Sequence, residues 1–345
     1  MKTIKRIYRW IIFSIFFQVL IFLFFNNYYL VRDVDIKASS YDVADEKPKE
    51  DKGIKVSSDA KDIKVSFDGA YAAYLLNGNI EFSDIKSKKT KDVIKPQKGE
   101  IDYYKWLPDR NIIIYSEKSI LSKSTSIQIS TKDIDSGLDH SFPKITGLSK
   151  NSEVQSIELS PLTNVVYAKV KSGSSQAKIY KFNIMDQSSF IMSVDADASI
   201  EELSYKDILL YEDKPKNRVR AWDGINKHSW SLPFKQKIVL LGTDSEDKIY
   251  IGEIDDNEKI SKIYYGNLDK ESHESWQEVV LEEVVGKDRI VISGEGHIFL
   301  VDSTKEAIKD LKSGSEITYK GNFVEVIDNY VVYLDKNKLN LDVIN

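Results

Sequence analysis

The sequence predicts an all-β protein: a β-propeller of seven blades, with six as the alternative, preceded by one N-terminal transmembrane α-helix. Three observations lead there. Apolar strands ending in tyrosine recur about every 40 residues. A turn precedes each of them, and an alternating strand follows it. The only long uncharged apolar run lies in the first thirty residues.

That opening, "MKTIKRIYRWIIFSIFFQVLIFLFFNNYYLV", places Lys2, Lys5, Arg6 and Arg9 before an uncharged run from Trp10 to Leu30. About 20 helical residues span the ~30 Å hydrocarbon layer of a bilayer. Trp10, Tyr28 and Tyr29 stand where interfacial aromatics belong, and the basic amino side predicts a cytoplasmic N-terminus. A cleaved signal peptide is the competing reading. It needs small residues after the apolar stretch, where "NNYYLVRDVD" offers bulky and charged ones. The expected order is therefore a cytoplasmic tail over 1–9, a signal-anchor helix over 10–30 and a flexible extracytoplasmic tether over 31–53. The tether, "RDVDIKASSYDVADEKPKEDKG", has too few apolar groups to order itself. The propeller is expected over 54–345.

The repeat is anchored on Tyr74, Tyr115, Tyr167, Tyr211, Tyr250 and Tyr333, with Ile292 of "DRIVI" taking the tyrosine position once. Successive spacings are 41, 52, 44, 39, 42 and 41 residues. Alternating strands such as "NIEFSDI", "KIYKFNI", "HIFLVDS" and "KLNLDVI" follow across polar connections. Three or four short strands per unit at this period mark a propeller. The recurring tyrosine reads as a packing residue between blades, able to bury its ring while its hydroxyl finds a partner.

The turns in "VSFDGAYAAYLLNGNIEFSDI", "YYKWLPDRNIIIYSEK" and "ELSPLTNVVYAKV" resemble the S-P-D-G units of TolB-like and WD-repeat-like propellers, including the N-terminal propellers of dipeptidyl-peptidase-type enzymes. The resemblance implies the fold and carries no activity with it. The hydrolase domain of those enzymes needs a G-x-S-x-G elbow, and the chain contains none.

A ring must close without leaving sheet edges open. The last unit offers only "NFVEVI", "NYVVYL" and "KLNLDVI", while a spare strand, "GIKVSSD", precedes the first. Residues 54–58 are expected to complete the final blade. The most helical-looking stretch beyond the membrane segment is "STKEAIKDLKSG".

Composition narrows the function. A net charge of −5 with mixed signs gives no reason to expect nucleic acid. With no cysteine, disulfides, zinc-thiolate sites and thiol nucleophiles are excluded. His140, His228, His273 and His297 have no metal-site spacing. "SGEGH" reads as a hairpin turn, "GEIDDNEKISK" as a solvated loop and "KSKKTK" as an exposed outer turn. No cofactor and no metal are expected. Trp106 reads as core, whereas Trp222, Trp230 and Trp276 lie outside the tyrosine strands and are the candidate binding residues. The expected function is a membrane-anchored extracytoplasmic binding or scaffold module, not an enzyme, with an envelope protein or wall polymer as partner. Two alternatives stand beside it: an acid/base hydrolase or lyase at one end of the channel, and a sensory subunit of a membrane complex.

Overall fold

The computed structural model describes residues 10, 13–22, 53–183, 185–268, 272–327 and 329–344. The chain divides into two compact units, Met1–Glu50 and Asp51–Asn345. In the first, residues 13–22 are helical and their apolar side chains are exposed. No described helix is long and apolar enough to cross a membrane. Residues 11–12 and 23–30 of the expected 10–30 span, the 1–9 tail and all but the last residue of the 31–53 tether lie outside the described residues.

The second unit is seven antiparallel sheets. Blade one comprises Lys61–Val65, Tyr71–Leu76, Asn79–Asp84 and Lys89–Ile94. Blade two has Glu100–Trp106, Ile112–Ile120 and Thr125–Asp133, with an outer edge split into Asp139–Ser141 and Ile145–Leu148. The split falls at Pro143, which has no N–H to give to a ladder, and it accounts for the 52-residue interval. Blade three is Glu153–Ser160, Val165–Lys171, Gln176–Phe182 and Ser188–Asp195. Blade four is Ile200–Glu202, Ile208–Asp213, Arg218–Asp223 and His228–Ser231. Blade five is Ile238–Thr243, Ile249–Ile254, Ile260–Gly266 and Gln277–Val285. Blade six is Ile290–Ile292, Ile298–Asp302, Ala307–Asp310 and Glu316–Thr318. Blade seven is Asn322–Ile327, Tyr330–Asp335 and Lys338–Val343.

The fourth strand of blade seven comes from the other end of the chain. Ile54–Lys55 pairs antiparallel with Lys338–Val343, Ile54 opposite Leu339 and Lys55 opposite Lys338. Val56 N–H adds a 2.8 Å bond to the Asn337 carbonyl. The expected closure is therefore present, with a strand shorter than the 54–58 that the sequence suggested. First strands of neighbouring blades pack side by side, blade seven against blade one included.

Seven apolar clusters hold the ring, and each lies between two adjacent blades. Ile54 and Val56 of the seam strand, for example, pack with Val332 and Leu339 of blade seven and with Val65, Ala72 and Tyr74 of blade one. The alternation of each strand explains this arrangement, because successive side chains face opposite neighbours. Trp106 is buried in the wedge between blades one and two. The tyrosines behave as packing residues. Tyr74, Tyr167 and Tyr250 are buried, and their hydroxyls bond Ser83, Asp207 and Asp244.

Two expectations need correction. Ile290–Ile292 is the first strand of blade six, not its second, Ile298–Asp302, which occupies the position of the tyrosine-bearing strands of the other blades and has no tyrosine. The inner strand here has only three residues, so the period slipped by one strand. "STKEAIKDLKSG" supplies the strand Ala307–Asp310 rather than a helical turn. Among the described residues after 53, the only helical turns are the 3-10 segments Lys214–Lys216 and Lys287–Arg289.

Candidate functional site

The inner strands place charged side chains at the central channel. Lys105 of blade two reaches Glu158 of blade three at 2.6 Å, and Ser156 Oγ donates to the same carboxylate. Glu201 follows on blade four. Burial and the Glu158 carboxylate raise its pKa, against Lys105 and Lys287, and it makes no hydrogen bond among the described residues. Burial works to lower the Lys105 ammonium, but Glu158, Tyr103 and Glu201 outweigh it and hold it above its ordinary value. On the other side of blade two, Lys64 of blade one donates to the Tyr104 carbonyl at 2.7 Å and lies 5.3 Å from the Tyr103 ring centre. On this side the channel is thus polar, with Lys64 and Lys105 on blades one and two followed by Glu158 and Glu201 on blades three and four.

At one mouth, Glu212 ties three blades together. Its carboxylate accepts from Ser199 N–H of its own blade, from Leu240 N–H of blade five and from Lys287 Nζ at the entry to blade six. Burial would raise this carboxyl, yet Lys287, the Ser199 amide and Lys214 hold it below the ordinary carboxylate range. Asp102 does similar work between blades two and three, accepting from Val154 N–H at 3.0 Å. Such ties are invisible in the sequence because their partners are tens of residues apart. The one available signal was a charged residue inside an inner strand that otherwise reads as apolar.

The opposite mouth is ringed by turns. Each blade is a meander, so its first-to-second and third-to-fourth turns fall at the same end. Bonds between neighbouring blades run around that end: Asn111 to Asp68, His140 to Asp186, Ser160 to Ser204, Ser204 and Tyr205 to Asp247, and Ser245 to Gly294.

The three candidate tryptophans do not share a surface. Ala221 pairs with Trp230 and Trp222 with Ser229, so Trp222 and Trp230 occupy opposite faces of blade four. Trp222 packs into the wedge towards blade three and Trp230 into the wedge towards blade five. Trp276 joins the latter, edge-on to Phe234 at 5.1 Å between centres, with its indole N–H on the Asn267 carbonyl. All three are half-buried packing residues, Trp222 and Trp230 on the two outer strands of blade four and Trp276 just before the outer strand of blade five.

An open groove of about 710 Å³ runs between blades five and six. Val279, Leu281, Leu300 and Leu311 form its apolar part. The strand Gln277–Val285 bulges here: Ile260 faces Val285 while Lys262 already faces Val280. The bulge is fastened to blade six through Glu282 to Lys309 at 3.0 Å and Glu283 to Arg289 at 3.3 Å. A bulge of this kind re-aims side chains off the sheet edge, and Val280 and Val284 stand exposed on it.

The remaining motifs are turns. In "SGEGH", Gly296 has φ +82 and the Ser293 hydroxyl accepts from His297 N–H. In "GEIDDNEKISK", Asp255 caps its own turn through the Asn257 and Lys259 amides. Among the described residues, no group of three or more potential ligands could hold a metal.

This architecture defines an all-β propeller of seven blades. No family model and no curated protein matches the chain. Among solved structures it is similar to the β-propeller domain of Cps50 (Swd1) from Myceliophteria thermophila. That match has 12% identity and a TM-score of 0.52, covering 83% of this chain and 96% of that one. A chain of a nidogen/laminin complex matches at 11% identity and a TM-score of 0.42, covering 72% and 91%. The first likeness shows the fold and nothing further.

Proposed function

We propose that this chain is a binding or scaffold module of the cell envelope. Its N-terminal segment anchors it in the membrane, its propeller lies outside the cell, and its partner is an envelope protein or wall polymer. The groove between blades five and six carries this reading. It combines an apolar strip with flanking charges of both signs and an exposed, bulged edge strand, the features of a protein-binding surface. The exposed apolar side chains of residues 13–22, with the basic residues before them, support the anchor. The "SFDG", "LPDR" and "SPLT" turns support TolB-like ancestry for the propeller.

The test places a photo-crosslinking side chain at Val280 in the full-length protein in cells, with a matched probe at Ser174 on blade three. A discrete adduct at Val280, lost in Leu281→Asp, is expected. Adducts of equal pattern at both positions reject the groove.

A second reading is favoured by one observation. Glu201, with its raised pKa and no hydrogen-bond partner among the described residues, shares the channel with Glu158, the kind of carboxyl pair that acid/base catalysis uses. Turnover of a wall glycan by the purified chain, abolished in Glu201→Gln, would establish an enzyme. Stoichiometric binding without turnover supports the module.

A further inference from the structure

The propeller exposes few large apolar side chains, and they are not spread evenly. Ile225 is 76% exposed, Leu138 72%, Met185 70%, Leu162 62% and Tyr205 59%. All five sit on turns of blades two, three and four, and all five turns lie at the same end of the ring. Leu162 and Tyr205 occupy first-to-second turns, while Leu138, Met185 and Ile225 occupy third-to-fourth turns. The other exposed apolar residues of the propeller are on outer or terminal strands, apart from Ile120 and Leu121 at the opposite end of blade two.

These tips are held rigidly outward. Asp223 accepts from the Ile225 and Asn226 amides, Asn183 from Met185, and Asp133 from Asp135 and Ser136. The Asx turns prevent the apolar side chains from folding back onto the sheet. The five lie on five different turns, so they form separate points rather than a continuous patch. Exposed Lys206 adjoins Tyr205 and exposed Lys227 lies two residues from Ile225. Of the acids nearby, Asp109 pairs with Arg110, Asp139 lies 3.6 Å from Lys132, Asp135 accepts from Tyr71 and Asn111, and Asp223 accepts from amides of its own turn.

We infer that the turn face of blades two to four rests on an anionic lipid bilayer, with the five apolar tips entering the interface. A protein partner needs complementary relief to bury scattered points, whereas a fluid hydrocarbon layer needs only that they protrude from one end. Tyrosine and lysine beside the tips suit the headgroup layer, the ring lying at the boundary and the ammonium among phosphates. This face is separate from the groove of blades five and six, and it does not require the N-terminal segment to span.

The absence of native cysteine makes the test direct. Full-length Leu138→Cys, Ile225→Cys and, at the opposite end of blade three, Ser174→Cys are each labelled with an environment-sensitive fluorophore. They are mixed with vesicles of phosphatidylcholine, alone or with phosphatidylglycerol, carrying nitroxide lipids. Blue shift and nitroxide quenching are expected at Leu138 and Ile225, stronger with phosphatidylglycerol, and absent at Ser174. Adding Lys206→Glu and Lys227→Glu should cut the preference for the anionic vesicles by roughly ten-fold or more. Water-like emission at both turn positions overturns the inference. So does equal quenching at Ser174, or a blue shift without quenching, which would mark a protein contact. Retention on the same vesicles in alkaline carbonate reads the N-terminal anchor separately, so the two can fail independently.

Discussion

The backbone N–H of Val65 donates a 2.6 Å hydrogen bond to the Glu325 carboxyl, joining the inner strands of blades one and seven across a separation of 260 residues. Burial pushes that carboxyl up to about 7, from an ordinary 4.5, against the Val65 amide and Lys64. An acid whose folded pKa is raised stabilises the fold in its protonated form. The contribution is complete below the unfolded value and is lost as pH rises through the folded one. A shift of this size is worth about 3 kcal/mol at most. Glu325→Gln keeps an acceptor without the charge. It should match the parent near pH 4 and be the more stable of the two near pH 8, by about 1–3 kcal/mol in denaturant titrations. An unchanged pH slope in the variant rejects the assignment.

The seam strand should carry stability out of proportion to its length. Ile54 and Val56 are both buried in the wedge between blades seven and one. Ile54→Ala is expected to cost about 2–4 kcal/mol. Removing the chain before residue 57 should also expose the Lys338–Val343 edge and promote aggregation. Equal melting and solubility for chains starting at 53 and at 57 would show that the pairing contributes nothing.

Between blades three and four, Tyr167 donates to Asp207 at 2.6 Å, and Lys181 holds the other carboxylate oxygen. Gly224 abuts this pair so closely that an added Cβ would collide with both Asp207 and the Tyr167 hydroxyl. Tyr167→Phe should cost about 1–3 kcal/mol by leaving a buried carboxylate oxygen unpaired. Gly224→Ala should cost at least as much in the parent and less in the Tyr167→Phe background, where the hydroxyl is gone. Strict additivity in a four-way thermal comparison would refute the contact.

The Lys105–Glu158 pair joins blades two and three with side-chain exposures of 40% and 10%. Lys105→Met leaves the more buried partner uncompensated and should destabilise by about 1–3 kcal/mol, discounted because the lysine touches solvent. Adding Glu158→Gln should recover most of the loss. Two single losses that simply sum in the double variant would mean that the pair is not coupled.

Much of this architecture was written in local patterns. Strand alternation, the polar turns and the tyrosine recurrence at Tyr74, Tyr115, Tyr167, Tyr211, Tyr250 and Tyr333 depend only on neighbours in sequence, so they announce blades directly. The spare strand near Ile54 was legible because a ring leaves one edge to cover. Blade six misled because a three-residue inner strand is too short for a period to register. The placing of the tryptophans needed the strand register. Position outside the tyrosine strands suggested availability, while pairing of Ala221 with Trp230 sends Trp222 and Trp230 into different wedges.

The sequence by itself determined the repeat, the closing strand, the absence of thiol chemistry and the separate character of the first thirty residues. Each is a property of composition or of short-range spacing. Only the tertiary structure decided what the blades bring together. Glu212 reaches Leu240 and Lys287, Glu201 approaches Glu158, and Leu138, Leu162, Met185, Tyr205 and Ile225 gather at one end of the ring. Those meetings follow from packing each sheet against the next around a closed circle. That geometry couples residues one blade apart, at a distance along the chain where sequence patterns carry no memory of direction.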